Sequence, residues 1–166
     1  MVFDIGSFGL AGRVALVTGA TRGLGRAMVD GFARAGADVI VASRNADACA
    51  RVAAEVEEQT GRAALACPAH VGHWPELDGL VDAAYERFGR VDVLVNNAGM
   101  SPLYPSLPEV TEDLWDKVLA INLKGPFRLT ALVGTKMAAG PHGGSIINVS
   151  STGSIRPGPT MLPYDA

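Results

Sequence analysis

The chain has 166 residues, 48% of them apolar and 19% charged, which is the composition of a soluble globular protein with enough material for a proper core. A formal net charge of −3, with the basic residues dispersed, argues against nucleic acid or an anionic membrane as a partner. No apolar run approaches membrane-spanning length. The start, MVFDIGSFGLAGR, carries Asp4 and no basic segment, unlike a secretory signal, so a cytoplasmic protein is expected.

The first short apolar run covers residues 14–17, and further runs follow at 39–42, 63–66, 91–95 and 146–149. Their near-continuous apolarity suits strands covered on both faces, as in a parallel sheet. Between the first two runs, Leu24, Ala27, Met28, Gly31, Phe32 and Ala35 fall on one stripe of an α-helix. Ala46, Cys49, Ala50, Ala53 and Val56 give a weaker stripe before the third run. Leu77, Leu80, Val81, Ala84, Tyr85 and Phe88 give a strong one before the fourth. Residues 111–139 read as helix, interrupted near 122–126 where Asn122 and Pro126 fall. Alternating strands and helices of these lengths define βαβ units with right-handed crossovers. The expectation is an α/β fold: a doubly wound, Rossmann-like parallel sheet with helices on both faces, forming one domain over residues 1–166. Cys49 and Cys67 have no motif spacing and read as buried, reduced thiols.

The first run leads directly into Thr18-Gly19-Ala20-Thr21-Arg22-Gly23-Leu24-Gly25. Glycines at a strand-to-helix junction permit positive φ and close approach of a ligand to the backbone. The following helix points unpaired N–H groups and the positive end of its dipole at the same place, which suits a pyrophosphate. The second run ends in Ala42-Ser43-Arg44-Asn45, without the acid that would bind the ribose hydroxyls of NAD. Ser43 offers a hydroxyl to a phosphate, Arg44 a planar fork of donors, and Arg22 a second guanidinium from the glycine turn. NADP(H) is therefore the favoured cofactor, with NAD(H) as the alternative. His70 and His73 stand at a spacing that would suit a metal on a helix. No carboxylate or cysteine is placed in sequence to complete a ligand set, so no metal is expected.

The TGxxxGxG spacing resembles the short-chain dehydrogenase/reductase family, and the resemblance runs to the last residue. Asn96-Asn97-Ala98-Gly99 is similar to the family's NNAG motif, Asn122 to its helix-borne catalytic asparagine, and Ser151 of Ser150-Ser151 to its catalytic serine. Tyr164, thirteen residues beyond Ser151, matches the catalytic tyrosine. The resemblance implies an enzyme moving a hydride between the cofactor and a carbonyl or secondary alcohol. Tyr164 would be the general acid/base, Ser151 would hydrogen-bond the substrate oxygen, and Asn122 would hold a relaying water. It implies a cofactor site at Gly19, Thr21, Arg22, Gly23, Leu24, Gly25, Ser43, Arg44, His70, Val71, Asn97, Ala98 and Gly99. His70 departs from the pattern, standing where the family has an aspartate near the adenine amino group; its ring or its backbone would serve instead.

A small-molecule substrate of moderately apolar character is expected from Met100-Ser101-Pro102-Leu103-Tyr104 and from the residues between Ile155 and Pro163. The Pro-rich stretch and "VTEDLWDKVLAIN" resemble the carbonyl-reductase branch; a 3-oxoacyl thioester reductase is the competing expectation. The family commonly forms dimers or tetramers, so a homo-oligomer is expected. A phenol ionises near pH 10, and the family lowers this with a lysine one helical turn after the tyrosine. The sequence ends at Ala166, before that lysine. The expectation is that the C-terminal part of the fold is missing and that these residues alone form an inactive cofactor-binding fragment, with the fifth strand an exposed apolar edge.

Overall fold

The computed structural model describes residues 9–166; Asp4 and most of the segment weighed as a leader lie outside them. Five strands form one parallel sheet: β1 (Val14–Thr18), β2 (Asp38–Ser43), β3 (Ala64–Pro68), β4 (Val93–Asn96) and β5 (Ser145–Asn148), in the order β3-β2-β1-β4-β5. The connecting helices are α1 (Gly23–Arg34), α2 (Ala46–Thr60), α3 (Trp74–Phe88), α4 (Glu112–Leu119) and α5 (Gly125–Ala139), with a short α6 (Leu162–Asp165) at the end.

The alternation of side chains along each strand divides the core in two. Ala15 and Val17 of β1, with Val39 and Val41 of β2, face Val29 and Ala33 of α1 and Cys49, Val52 and Val56 of α2. Leu16, Ile40 and Leu94 point the other way, onto Leu77, Leu80 and Val81 of α3 and Leu129 and Val133 of α5. Burial of each valine, leucine or isoleucine among them contributes on the order of 1.5–3 kcal/mol before entropy is counted. Helices thus cover both faces, and the strand order reverses between β1 and β4. At such a reversal the crossovers leave in opposite directions and open a crevice at the strands' carboxyl ends.

Local signals set the helix limits. Asn45 caps α2 through the Ala48 N–H (2.8 Å), and Thr111 caps α4 through the Leu114 N–H (3.2 Å). Gly61 and Gly89 end α2 and α3 in the left-handed conformation. The α3 stripe is inward as expected, but those of α1 and α2 are rotated. On α1, Leu24 is 70% exposed, Ala27 and Gly31 are exposed, and Gly25, Val29 and Ala33 are buried instead. The cause is Gly25: a Cβ there would collide with the Gly19 carbonyl oxygen, so this position is the one pressed against the turn. On α2, Ala46 and Ala50 are exposed and Val52 is buried. β5 is an edge of the sheet, with Ile147 and the following Val149 about two-fifths exposed (41% and 40%), so the fifth strand is the exposed apolar edge expected for these residues and lacks the cover on both faces that its apolar run alone suggested. Among the described residues no helix is long and apolar enough to cross a membrane.

Candidate active site

Thr18, at the end of β1, ties the first half of the crevice to the second. Its buried hydroxyl donates to the Val95 carbonyl (3.2 Å) and accepts the N–H groups of Asn97 and Ala98 (3.0 Å each). The Asn97 amide donates back to the Thr18 carbonyl (2.9 Å). The glycine turn and the Asn96–Gly99 segment are therefore one hydrogen-bonded unit. Within the turn the glycines do different work. Gly19 and Gly23 hold positive φ (64° and 54°), whereas Gly25 provides close contact between α1 and the turn. A Cβ on Gly23 would meet nothing within 4 Å, so this side of the turn is open to the crevice.

A cavity of about 910 Å³ lies over the turn. Every residue expected to hold the cofactor lines it: Gly19, Thr21, Arg22, Gly23, Leu24, Gly25, Ser43, Arg44, His70, Val71, Asn97, Ala98 and Gly99. The Thr21 hydroxyl donates to that of Ser43 (3.2 Å), joining the turn to the end of β2. Arg22 and Arg44 are exposed, and among the described residues neither is paired with a carboxylate. Asn45 is spent on its helix cap. Of the two ways His70 was expected to serve, its backbone N–H is already engaged, donating to Glu76 Oε2 (2.7 Å), and its carbonyl accepts from the His73 N–H (2.8 Å), which leaves the ring. Burial, then His73 and Arg44, hold its imidazole below the usual histidine range against the pull of Glu76. Burial likewise pushes the Cys49 and Cys67 thiols up, and both are free. Among the described residues no group of three His, Cys, Asp or Glu side chains gathers as a metal site.

A second hollow, of about 720 Å³, adjoins the first and shares Leu24 and residues 97–101 with it. Asn122, Ser151 and Tyr164 all line it, as do Ser150 and Ser154. Asn122 sits in a π-helical turn, Ala120–Lys124, joining α4 to α5. Its amide is docked on Met100, accepting from the Met100 N–H and donating to the Met100 carbonyl (2.9 Å each). The side chain thus clamps the segment after β4, a use the sequence did not reveal. Ser151 Oγ accepts the Gly153 N–H (3.2 Å), while Ser150 Oγ bonds to Ser154 Oγ (3.3 Å). Tyr164 is carried by α6, which is pinned from a distance: the buried Tyr104 hydroxyl accepts the Leu162 N–H at 2.7 Å. The apolar lining comes from Met100, Leu123, Pro126, Phe127 and Val149.

Some supporting contacts escaped the sequence reading. Thr18 and Asn96 stand in the two motifs, but the partners of their side chains were not indicated. Asn96 donates to Asn148 Oδ1 (2.8 Å) and Thr130 Oγ1 (3.2 Å), and these contacts, like the Tyr104–Leu162 pair, carried no signal because the partners are remote in sequence.

The chain thus combines a doubly wound parallel sheet, a glycine turn at its switch point, and Asn122, Ser151 and Tyr164 around an adjoining hollow. The short chain dehydrogenase family profile matches residues 13–166, and the chain belongs to that family. It is 38% identical over 156 residues to dehydrogenase/reductase SDR family member 4 of Pongo abelii, covering 94% of this chain and 55% of that protein. It also superimposes on a gluconate 5-dehydrogenase of Burkholderia cenocepacia J2315 in complex with NADP and tartrate (TM-score 0.88, 35% identity, 97% of this chain and 62% of that one). A 7α-hydroxysteroid dehydrogenase complexed with NADH and 7-oxo glycochenodeoxycholic acid is similar too (TM-score 0.90, 32% identity, 99% and 63%). The chain spans little more than half the length of the curated relatives it matches.

Proposed function

We propose that the protein is an oxidoreductase that uses NADP(H) to interconvert a carbonyl and a secondary alcohol. The observation that carries this reading is the junction of the two hollows, one lined by the glycine turn and the other by Asn122, Ser151 and Tyr164. The cradle fits a dinucleotide: Gly23 leaves the mouth of α1 open, and the first-turn N–H groups of a helix suit an anionic bridge. When bound, the nicotinamide supplies or accepts the hydride.

The chain's own residues handle the rest. Tyr164 gives a proton to the substrate oxygen in reduction and takes it in oxidation. Ser151 donates a hydrogen bond to that oxygen as charge develops on it. Asn122 acts through its clamp on Met100, holding the wall between the hollows. Arg22 and Arg44, which pair with no carboxylate among the described residues, lie beside Ser43 at a β2 end without an acid in sequence, and support NADP(H) over NAD(H). The lining of Met100, Leu123 and Phe127 supports a moderately apolar substrate.

Titration of the full-length protein with NADPH and NADH, as wild type and Arg44→Ala, tests the cofactor assignment. Losing a charge-assisted phosphate contact is worth about 1.5–3 kcal/mol, or roughly 10- to 150-fold in Kd for NADPH, with little change for NADH. Equal losses for both would sink it. The catalytic assignment is tested by carbonyl-dependent NADPH oxidation: Ser151→Ala should lower kcat severely and Ser150→Ala only slightly. The opposite ranking would refute the assignment.

A further inference from the structure

The far wall of the larger cavity, at the ends of β2 and β3, holds a histidine whose polarity the fold fixes. In the dinucleotide reading this wall faces the adenosine end, because the glycine turn lies between it and the hollow of Tyr164. His70 shares the wall with Ser43, Arg44 and Val71. Its backbone N–H and carbonyl are both taken, by Glu76 and His73. Its Nδ1 accepts the Gly72 N–H at 3.1 Å. An imidazole that accepts at Nδ1 is neutral and carries its proton on Nε2. The ring is also held in place: that of His73 stacks on it at 4.1 Å with an interplanar angle of 19°, and His73 Nδ1 is itself bonded to Glu76 Oε1 at 2.7 Å. The one polar atom that the His70 side chain has left for a ligand is a donor, the Nε2–H.

We propose that His70 reads the cofactor's purine by donating from Nε2–H to an acceptor on the base, so that this subsite does not select for a 6-amino group. Adenine presents ring-nitrogen acceptors alongside its amino donor. Hypoxanthine replaces the amino group with an oxygen acceptor and keeps N3 and N7. A carboxylate at position 70 would accept from the amino group and repel the oxygen; a neutral Nε2–H donor does neither. Selectivity between the two bases is therefore set by this residue.

The proposal rests on the dinucleotide reading above, and one titration separates the two. The full-length protein is titrated with NADPH and with its hypoxanthine analogue, following nucleotide fluorescence or heat of binding. The wild type should bind both within about threefold. His70→Asp should favour NADPH by about tenfold or more, the value of one hydrogen bond gained for one base and one repulsion added for the other. His70→Asn, whose amide presents both a donor and an acceptor, should stay near the wild-type ratio. Because the readout is a ratio measured on one protein sample, partial loss of folded protein cancels. NADPH bound with a tenfold or greater preference by the wild type, or a ratio unmoved in His70→Asp, overturns the proposal and leaves the dinucleotide reading standing. Failure of both nucleotides to bind overturns both.

Discussion

Replacing Thr18 with valine tests whether the two halves of the crevice are held together by one hydroxyl. The side chains are nearly the same size, so packing in this 1%-exposed position changes little. What changes is the network. The Val95 carbonyl loses a donor, and the N–H groups of Asn97 and Ala98 lose their shared acceptor. A buried group left without a partner costs about 1–3 kcal/mol. With two N–H groups stranded and partial relaxation toward the cavity, a loss of about 2–4 kcal/mol is expected. For a chain of this size each kcal/mol shifts Tm by roughly 2–4 °C, so the midpoint should fall by roughly 4–16 °C. Urea unfolding monitored by circular dichroism gives the free energy, and NADPH titration of the same samples gives the effect on the crevice. Thr18→Ser, which keeps the hydroxyl, should lose about 1 kcal/mol and retain affinity. If the serine variant proves less stable than the valine variant, the methyl group and not the hydroxyl holds the unit, and the reasoning is wrong.

The sheet was legible because each strand is a short apolar run, and both of its faces are covered at β1, β2 and β4. The helix faces were less so. Amphipathic periodicity locates a stripe but not its phase when alanine and glycine dominate, and on α1 the phase is set by the contact of Gly25 with the turn. Leu24 shows the consequence: periodicity sends it inward, yet it lies 70% exposed on the wall shared by both hollows. Residues of the candidate site could be read where motif and element coincide, at the glycine turn and at the ends of β2, β4 and β5. The bonds that position them could not. The docking of Asn122 on Met100 spans 22 positions, that of Tyr104 on Leu162 spans 58, and that of Thr18 on Asn97 spans 79. Sequence spacing carries no information about such partners; only the fold brings them together.

Gly25→Ala places a methyl against the Gly19 carbonyl oxygen, which is backbone and yields only if α1 moves; a stability loss of about 1–3 kcal/mol and weaker NADPH binding should appear together in melting and titration experiments. An unchanged melt would mean the turn is softer than its geometry indicates. Tyr104→Phe removes the acceptor for the Leu162 N–H, so it should cost about 1 kcal/mol and lower kcat more than it raises KM; a pure KM effect would contradict a role in holding the Tyr164 segment. The last expectation concerns acid. Asp92 is only 5% exposed, and burial alone would raise its pKa; the Val14 N–H (2.9 Å), Arg90 and Arg13 (3.0 Å) outweigh burial and hold it below the ordinary carboxylate range. Its folded pKa is therefore depressed relative to the unfolded chain. The stability it contributes is fully present above the unfolded value of about 3.9 and is lost as pH falls through the folded value. Asp92→Asn should accordingly destabilise the protein near neutrality and flatten the acid limb of the stability curve, measured as urea midpoints from pH 7 down to pH 3. Parallel curves for wild type and variant across that window would show that the charge of Asp92 does not link β1 to β4.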